Sequence, residues 1–446
     1  MAGYVSEPAR RVPVIGRYDV AVIGGGPAGV AAAVAAARGR ARVLLVEQTG
    51  CLGGMGTAGQ VPAFCPYSRG GQPLIRGIGL EVLERLRAAG GVGRDHSDYG
   101  WIPINAEILK QVYDAMVGRE RIDLRLFTFF SDTVRRGRRL KAVVFESKAG
   151  RQAAVADVFV DATGDGDVAA RAGVAFDLGD AHGRMQAASL CFALAGVDVS
   201  RYWTYVNRVG GGRIMEWLRE QESRGRLKRI PRTEYRGVHG QEIAPGVLGF
   251  NFGHLYEVNG TRPEDLARVM VDGREMIRSF VAFARKRMPG MRGASLVSTA
   301  ALPGIRETRR IRGRARLTLD DYLAGRHFAD EIAEYDYTVD VHNARRSAAL
   351  FKKFVRDFDR RALPPGRSYG IPYRCLLPAE VDNLLVAGRA LSADREAHGS
   401  VRVMPACFAT GEAAGTAAAI SSRRGITPAR LDVRILRRTL RRRWGR

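Results

Sequence analysis

The stretch from Tyr18 to Glu47, YDVAVIGGGPAGVAAAVAAARGRARVLLVE, restricts the fold more than any other part of the chain. Tyr18 to Ile23 is a short apolar run suited to a buried parallel strand, and an Ala-rich helical segment follows it. Between them Gly24, Gly26 and Gly29 stand at G-x-G-x-x-G spacing. Gly24 permits a tight turn, Gly26 lets a pyrophosphate approach bare backbone, and Gly29 lets the helix pack close to the strand. The unpaired N–H groups and positive dipole end of that helix would face the phosphates. A second apolar run, Arg42 to Val46, ends in Glu47, about 20 residues beyond the turn, where a carboxylate accepts from ribose hydroxyls. Strand, turn, helix, strand and acid together specify a Rossmann-type dinucleotide cradle, with NAD and FAD both open.

A chain of 446 residues exceeds what one core usually serves, about 250–300, so two closely packed domains are expected. Apolar and charged fractions of 46% and 26% are ordinary for a globular protein and leave no long disordered segment. The net charge of +25 invites a polyanion, yet only seven of the 71 basic residues are lysine. Such an Arg-, Ala- and Gly-rich composition reads as drift of a GC-rich coding sequence. The charge is also scattered, apart from clusters at Arg135–Arg139, Arg306–Arg316 and Arg437–Arg443, so nucleic acid is not expected as a partner. Cys51, Cys65, Cys191, Cys375 and Cys407 show no C-x-x-C and no zinc-type pairing with His. A reducing, cytoplasmic setting without a structural metal or disulfide framework is expected. No stretch reaches the roughly 18–20 apolar residues of a membrane span. Arg17 and Asp19 interrupt the early run that could pass for an export signal.

In chain order, residues 1–17 read as a loose arm. The loop Gly50–Gly59 holds five glycines in ten residues and brings bare backbone against the same ligand as the cradle. Cys51 within it has no partner thiol nearby and reads as a packing residue. Leu80–Ala89 and Asn105–Met116 carry helical periodicity, with Asn105 as N-cap. From Ile122 to Val160 the runs LRLFTFF, LKAVVFE and AVADVFV read as an antiparallel meander. The last ends at Asp161 and turns through Thr163 and Gly164 into a helix. Gly164, Gly166 and Ala169 repeat G-x-G-x-x-A spacing, but Asp165 and Asp167 would repel a diphosphate. That turn is expected to return to the first ligand. From about Phe176 to Tyr369 the pattern leaves the doubly wound type. It contains a long helix at Pro263–Arg287, a strand at Ala294–Leu302, the group Arg306, Arg309 and Arg310, and His342 at the end of the strand-like run YDYTVDVHN. The expected layout is a nucleotide domain in two parts, 1–175 and 370–446, with a substrate domain at 176–369 and a basic C-terminal helix.

The closing block, Tyr369 to Ile420, holds a buried strand at Asn383–Ala387 that turns at Gly388-Arg389, then a helix at Pro405–Ile420. The small residues of that helix, among them Gly411 and Gly415, permit tight packing, and its N-terminus can direct N–H groups at an electron-rich ring. In order along the chain, GGGPAG with Glu47, GCLGGMG, VDATGDGD, GIRETRRI, YGIPYR and VAGRALSA…HGSVRVMPACFATGEAAG resemble the FAD-dependent oxidoreductases related to the fumarate reductase and succinate dehydrogenase flavoproteins. The likeness covers nearly the whole length except about 200–260. It implies an α/β fold: a Rossmann-like FAD-binding domain, with parallel sheet plus antiparallel meander, and an inserted α+β substrate domain. It implies FAD as cofactor, with Gly24, Gly26, Pro27, Ala28 and Gly29 at the pyrophosphate and Glu47 with Gln48 at the adenosine ribose. Gly53, Gly54 and Met55 would run along the phosphates and flavin, and Thr163 and Gly164 toward the adenine half. Gly388, Arg389, Arg402, Val403 and Met404 would hold the ribityl and pyrimidine ends.

Hydride chemistry then belongs to the flavin, and protein groups bind substrate and move protons. His342, His398, Arg306 and Arg402 are the candidates, for a small anionic or polyhydroxylated substrate whose electrons pass from flavin to oxygen or another acceptor. The chain lacks a fumarate-type insertion, which leaves dicarboxylate specificity without support. The alternative is a tRNA-modifying flavoprotein resembling the large glucose-inhibited-division family, using the basic surface; a missing C-terminal helical domain argues against it. A non-catalytic FAD-binding protein is a third class. The apolar middle region leaves room for a homodimer.

Overall fold

A computed structural model describes residues 3–68, 70–93 and 99–444. Strand β1 runs Val14–Ile23, helix α1 Pro27–Arg38 and strand β2 Val43–Val46. β1 starts before the apolar run: Val14, Gly16 and Arg17 pair with Ala153, Ala154 and Val155, so the expected loose arm ends at residue 13.

β1 is flanked by parallel neighbours, β2 on one side and the strand Gly150–Asp161 on the other. Asp123–Arg125 extends the parallel layer beyond β2. Gly150–Asp161 forks: its first half pairs antiparallel with Arg139–Ser147, and its last residues pair parallel with Leu384–Val386. Phe129–Arg136 completes the meander. The run LRLFTFF is therefore divided. Its first residues join the parallel layer and Phe129 opens the meander, with Phe127 at φ +52 breaking the strand between them. Register aligns the strand ends, Ile23 with Val46 and with Asp161, and Asp161 with Val386. The loops after these strands consequently leave from one edge of the sheet, the edge at which open α/β sheets bind ligands.

Against the sheet lies α1, and against α1 lies the helix Met404–Arg423, every residue of which is buried from Met404 to Ser421. Two glycines set that contact. A Cβ on Gly411 would stand 2.1 Å from Ala28 O, and one on Gly415 2.0 Å from Ala32 O. The pairing of 28 with 411 and 32 with 415 makes the two helices run in the same direction.

A second, antiparallel sheet joins Thr233–Glu234, Val247–Leu255, Ala188–Ala195 and Ser295–Thr299, with Gln241–Ala244 also on Val247–Leu255. The helix Pro263–Arg287 packs on it as expected, and Phe192, Phe250, Phe252 and Phe280 form its aromatic centre. Together these elements make the mixed α/β architecture expected, a Rossmann-like part plus an insertion. The apolar residues of the segment from Leu317 to Leu377, however, join the core around α1 rather than that of the second sheet.

The strand-like run before His342 is regular only to Tyr335, in the strand Glu331–Tyr335. Beyond it side chains take the place of a ladder. Ser400 Oγ donates to Tyr337 O, Arg402 donates to Asp340 O, and Gln186 Oε1 accepts from His342 N at 2.9 Å. Alternation of apolar and polar residues predicts a strand there, but beyond Tyr335 the segment forms no regular element and has no partner strand among the described residues.

Candidate active site

At the aligned strand ends lies a cavity of about 350 Å³, within the range of about 300–1,000 Å³ usual for small-molecule sites. Gly24, Gly26, Pro27, Ala28, Glu47, Gln48, Gly54, Met55, Thr163, Gly164, Gly388, Arg389, Val403 and Met404 of the expected cofactor residues line it. Gly29 and Gly53 stand behind it. A Cβ on Gly29 would meet Gly24 O at 1.7 Å, so its hydrogen serves the helix–turn contact. Gly53, at φ +104, packs on Tyr113 and Thr57 and donates its N–H to Gly25 O at 2.8 Å.

The turn has the shape of a phosphate cradle. Gly24 holds φ +98 against Ala162, whereas a Cβ on Gly26 would meet nothing within 4 Å. The first bond closing α1 runs from Val30 N–H to Gly26 O, which leaves the amides of Ala28 and Gly29 outside the helical ladder. Glu47 braces the turn from the next strand. Its Oε2 accepts from Gly25 N at 2.7 Å, and its Oε1 from Thr49 N and Thr49 Oγ1, both at 2.8 Å. With one donor on Oε2, the carboxylate keeps acceptor capacity for a hydroxyl.

Asp165 and Asp167 do line the cavity, and arginines offset both. Arg389 donates to Asp165 Oδ1 at 2.5 Å and to Gly164 O at 2.8 Å, and Arg309 to Asp167 Oδ1 at 2.7 Å. Burial, then Asp165, raises the Asp167 carboxyl above its usual range. The helix after this second glycine turn is only five residues, Asp167–Arg171, so the turn joins the first site as expected.

The same-direction packing of α1 and Met404–Arg423 points two helix N-termini into one cavity. Ala28 lies opposite Gly411, seven residues after Met404, so the second N-terminus projects about 10 Å beyond the first. An anionic group near α1 and an electron-rich ring near Val403 and Met404 would each meet a positive helix end. Open backbone at Gly26, the spare acceptor on Glu47 and the two helix ends fit an extended dinucleotide such as FAD.

Past Met404 the cavity ends among polar side chains from distant segments: Asn251, Arg306, Tyr337, Asp340, His342 and Arg402. Arg402 donates to Asp340 Oδ2 and to Asp340 O, each at 2.9 Å. Asp340 Oδ1 stands 3.1 Å from His342 Nε2. Burial alone raises the Asp340 carboxyl, but His342, Arg402 and Arg306 reverse this and hold it well below the usual range. Burial, then Arg306, pushes His342 down to about 4, so the ring is uncharged near neutral pH. Of the four expected catalytic residues, His342, Arg306 and Arg402 meet here. His398 does not line the cavity; it is fully buried behind Arg389, with Nε2 2.9 Å from Arg389 O.

Sequence reasoning missed Thr128, Phe129 and Phe130 beside Glu47, and Asn251, Tyr337 and Asp340 at the far end. Asp340 left a signal, since residues i and i+2 of an extended segment share a face and His342 follows it by two. Asn251, on a strand of the second sheet, left none.

Among the described residues no helix is long and apolar enough to cross a membrane. No curated protein matches the chain. Solved structures similar to it include a geranylgeranyl bacteriochlorophyll reductase-like protein from Thermoplasma acidophilum, 9% identical with a TM-score of 0.47 over 96% of this chain and 84% of that one. The flavin-dependent brominase Bmp2 is 13% identical, with a TM-score of 0.44 over 96% and 83%. The p-nitrophenol 4-monooxygenase PnpA of Pseudomonas putida DLL-E4 is 12% identical, with a TM-score of 0.41 over 68% and 70%. The family model described as FAD dependent oxidoreductase matches residues 19–440, nearly the whole chain, and the protein belongs to that family of FAD-dependent enzymes.

Proposed function

We propose that the enzyme oxidises a small anionic substrate, one bearing a carboxylate or a comparable group, and passes the electrons to oxygen or a separate acceptor. Bound FAD supplies the hydride acceptor. The observation that carries this reading is Arg306. Its guanidinium is buried, donates to Ala187 O at 2.7 Å and to Asn251 Oδ1 at 3.4 Å, and has no carboxylate within ion-pair distance among the described residues. Burial, then Arg402, pushes it down to about 10. Asp340 offsets the charge only from beyond ion-pair distance, and a buried cation so weakly compensated is expensive, which a substrate anion would relieve.

Arg402 is held differently, because Asp340 already neutralises it. It fixes the Asp340 carboxylate beside His342, so this end of the cavity carries two guanidinium groups and a histidine together with the Asp340 carboxylate, the Asn251 amide and the Tyr337 hydroxyl. Two guanidinium groups against one carboxylate leave an excess of positive charge, which favours an anion over a neutral polyol. The expected layout is part of the same reading: Arg306, Asp340 and His342 come from residues 176–369, the part assigned to substrate, and Arg402 from the closing part. So is kinship with the fumarate reductase and succinate dehydrogenase flavoproteins, supported by the order of motifs and by an arginine-lined anion site.

The test is anaerobic mixing of the yellow holoenzyme with a panel of small hydroxy and amino acids and their neutral alcohol and amine counterparts. Bleaching of the flavin by acids alone is expected. Bleaching by neutral compounds alone would overturn the anionic assignment, and a protein unable to take up FAD would overturn the whole reading.

A further inference from the structure

Behind His342 runs a row of buried polar side chains. His342 Nδ1 is 3.0 Å from His254 Nε2. His254 Nδ1 is 3.1 Å from Arg236 Nη1 and 3.2 Å from the Tyr256 hydroxyl, which donates to Glu234 Oε2 at 2.5 Å. His254, Tyr256, Arg236 and Glu234 are all buried. Sheet register builds the row, since Glu234 pairs across strands with His254.

The donors and acceptors in this row leave one arrangement of protons. A guanidinium only donates and a carboxylate only accepts. Tyr256 gives its proton to Glu234, so Arg236 is the donor to His254 Nδ1, which must be bare. The proton of neutral His254 is then on Nε2 and points at His342 Nδ1, which must be bare in turn. His342 accordingly carries its proton on Nε2, on the side of Asp340 and the cavity. The opposite pair of tautomers would press the His254 Nδ1–H against an Arg236 N–H.

We propose that Arg236 is a positioning residue that fixes, through His254, the tautomer of His342, so that His342 meets the substrate as an Nε2–H donor and not as a proton acceptor. The proposal rests on the reading that substrate enters the end of the cavity lined by Arg306. The groups facing His342 are Asp340, Arg306, Arg402 and His254; those facing His254 are Arg236, Tyr256 and Arg306. Both rings are uncharged near neutral pH: burial, then His342, holds His254 well below its ordinary value, as burial and Arg306 do for His342. The Asp340 carboxylate lies on the same side as the His342 proton, its Oδ1 3.1 Å from His342 Nε2. Asp340 Oδ1 is buried and has no hydrogen-bond donor aligned on it. A substrate oxygen that accepts, as in a carboxylate or a carbonyl, is held by His342 with Arg306.

The experiment is a long-range proton–nitrogen correlation spectrum of FAD-loaded protein labelled with 15N-histidine, near pH 7 and without substrate, where neutral tautomers are distinguishable. Signals are assigned with His342→Gln and His254→Gln. A neutral His342 with protonated Nε2 and bare Nδ1 is expected. Arg236→Lys, which keeps a donor-only cation, should preserve that pattern, and Arg236→Gln, whose amide can donate or accept, should yield a mixture of tautomers. A wild-type His342 protonated on Nδ1 overturns the proposal, and so does an unchanged pattern in folded Arg236→Gln. Should that variant not fold, Tyr256→Phe serves: it leaves Arg236 in place and should leave His342 unchanged, and a shift to the other tautomer overturns the proposal. No substrate enters this measurement, so it can fail while acids still bleach the flavin, or succeed while they do not.

Discussion

On the proposed reading, substrate recognition turns on Arg306, the cation at the far end of the cavity with no carboxylate of the described residues within ion-pair distance. Replacing it by Met keeps much of the volume and removes the charge. A hydrogen bond to a charged group contributes about 1.5–3 kcal/mol, so KM for the acid substrate should rise roughly 10- to 100-fold with FAD content unchanged. An equal loss of FAD would place the residue in cofactor binding instead. The cysteines at the site lead to a second expectation. Burial pushes the thiols of Cys65 and Cys407 up to about 12. Neither is a thiolate near neutral pH, and the thiolate is the nucleophile a covalent flavin link requires. Cys51 does not line the cavity. Acid precipitation should therefore leave the flavin in the supernatant; yellow precipitate washed free of unbound FAD would refute this. At the level of single residues, the placement of Arg306, Arg402 and His342 at the cavity was legible because charge and imidazole stand out in an apolar sequence. His398 stood out for the same reason, yet its ring supports the Arg389 carbonyl from behind. His398 lies on the short, mostly buried helix Arg395–Val401, where side-chain direction leaves little periodic trace.

Among the elements, the pair formed by α1 and Met404–Arg423 positions the cavity, since both N-termini open into it. The contact depends on glycine. In Gly411→Ala the added methyl would lie 2.1 Å from Ala28 O, and the neighbouring atoms are backbone that cannot rotate away. Overpacking of this kind costs about 1–3 kcal/mol, and the helices must part at the very turn that presents the Ala28 amide. Lower urea midpoint and weaker FAD retention are expected together. Gly118→Ala is the control, because that helical glycine has nothing within 4 Å of its Cβ position, and there Ala should stabilise by about 0.5–1 kcal/mol. If both variants behave alike, close helix contact is not what Gly411 provides. These elements were legible from sequence to within a few residues, as were the Asn105 cap, which accepts from Glu107 N and Ile108 N, and the long helix Pro263–Arg287. What failed was the division of LRLFTFF, where strand propensity was read correctly and pairing was not, because pairing depends on residues far away in the chain.

For the whole molecule, groups buried in the less favourable protonation environment make stability depend on pH in opposing ways. Glu412 lies on the buried helix behind the cavity, accepting from Ile78 N at 3.1 Å and Trp444 Nε1 at 3.4 Å. Burial raises it from 4.5 to about 7. Between those values the native state holds a proton that the unfolded chain has released. Stability therefore falls as pH rises through this window, by at most about 1.4 kcal/mol per pH unit, and the loss is complete above the native value. His342 acts in reverse. Its value falls from 6.5 to about 4, so the unfolded chain takes up a proton that the native state refuses, and stability rises with pH across that interval. The two slopes offset each other over much of the acid range. Glu412→Gln removes one and keeps the shape of the side chain. Urea unfolding of the variant should diverge from wild type from about pH 4.5 upward, in favour of the variant, and the gap should stop growing above about pH 7. Parallel stability curves for the two proteins would show that Glu412 titrates alike in the native and unfolded states and adds no pH dependence.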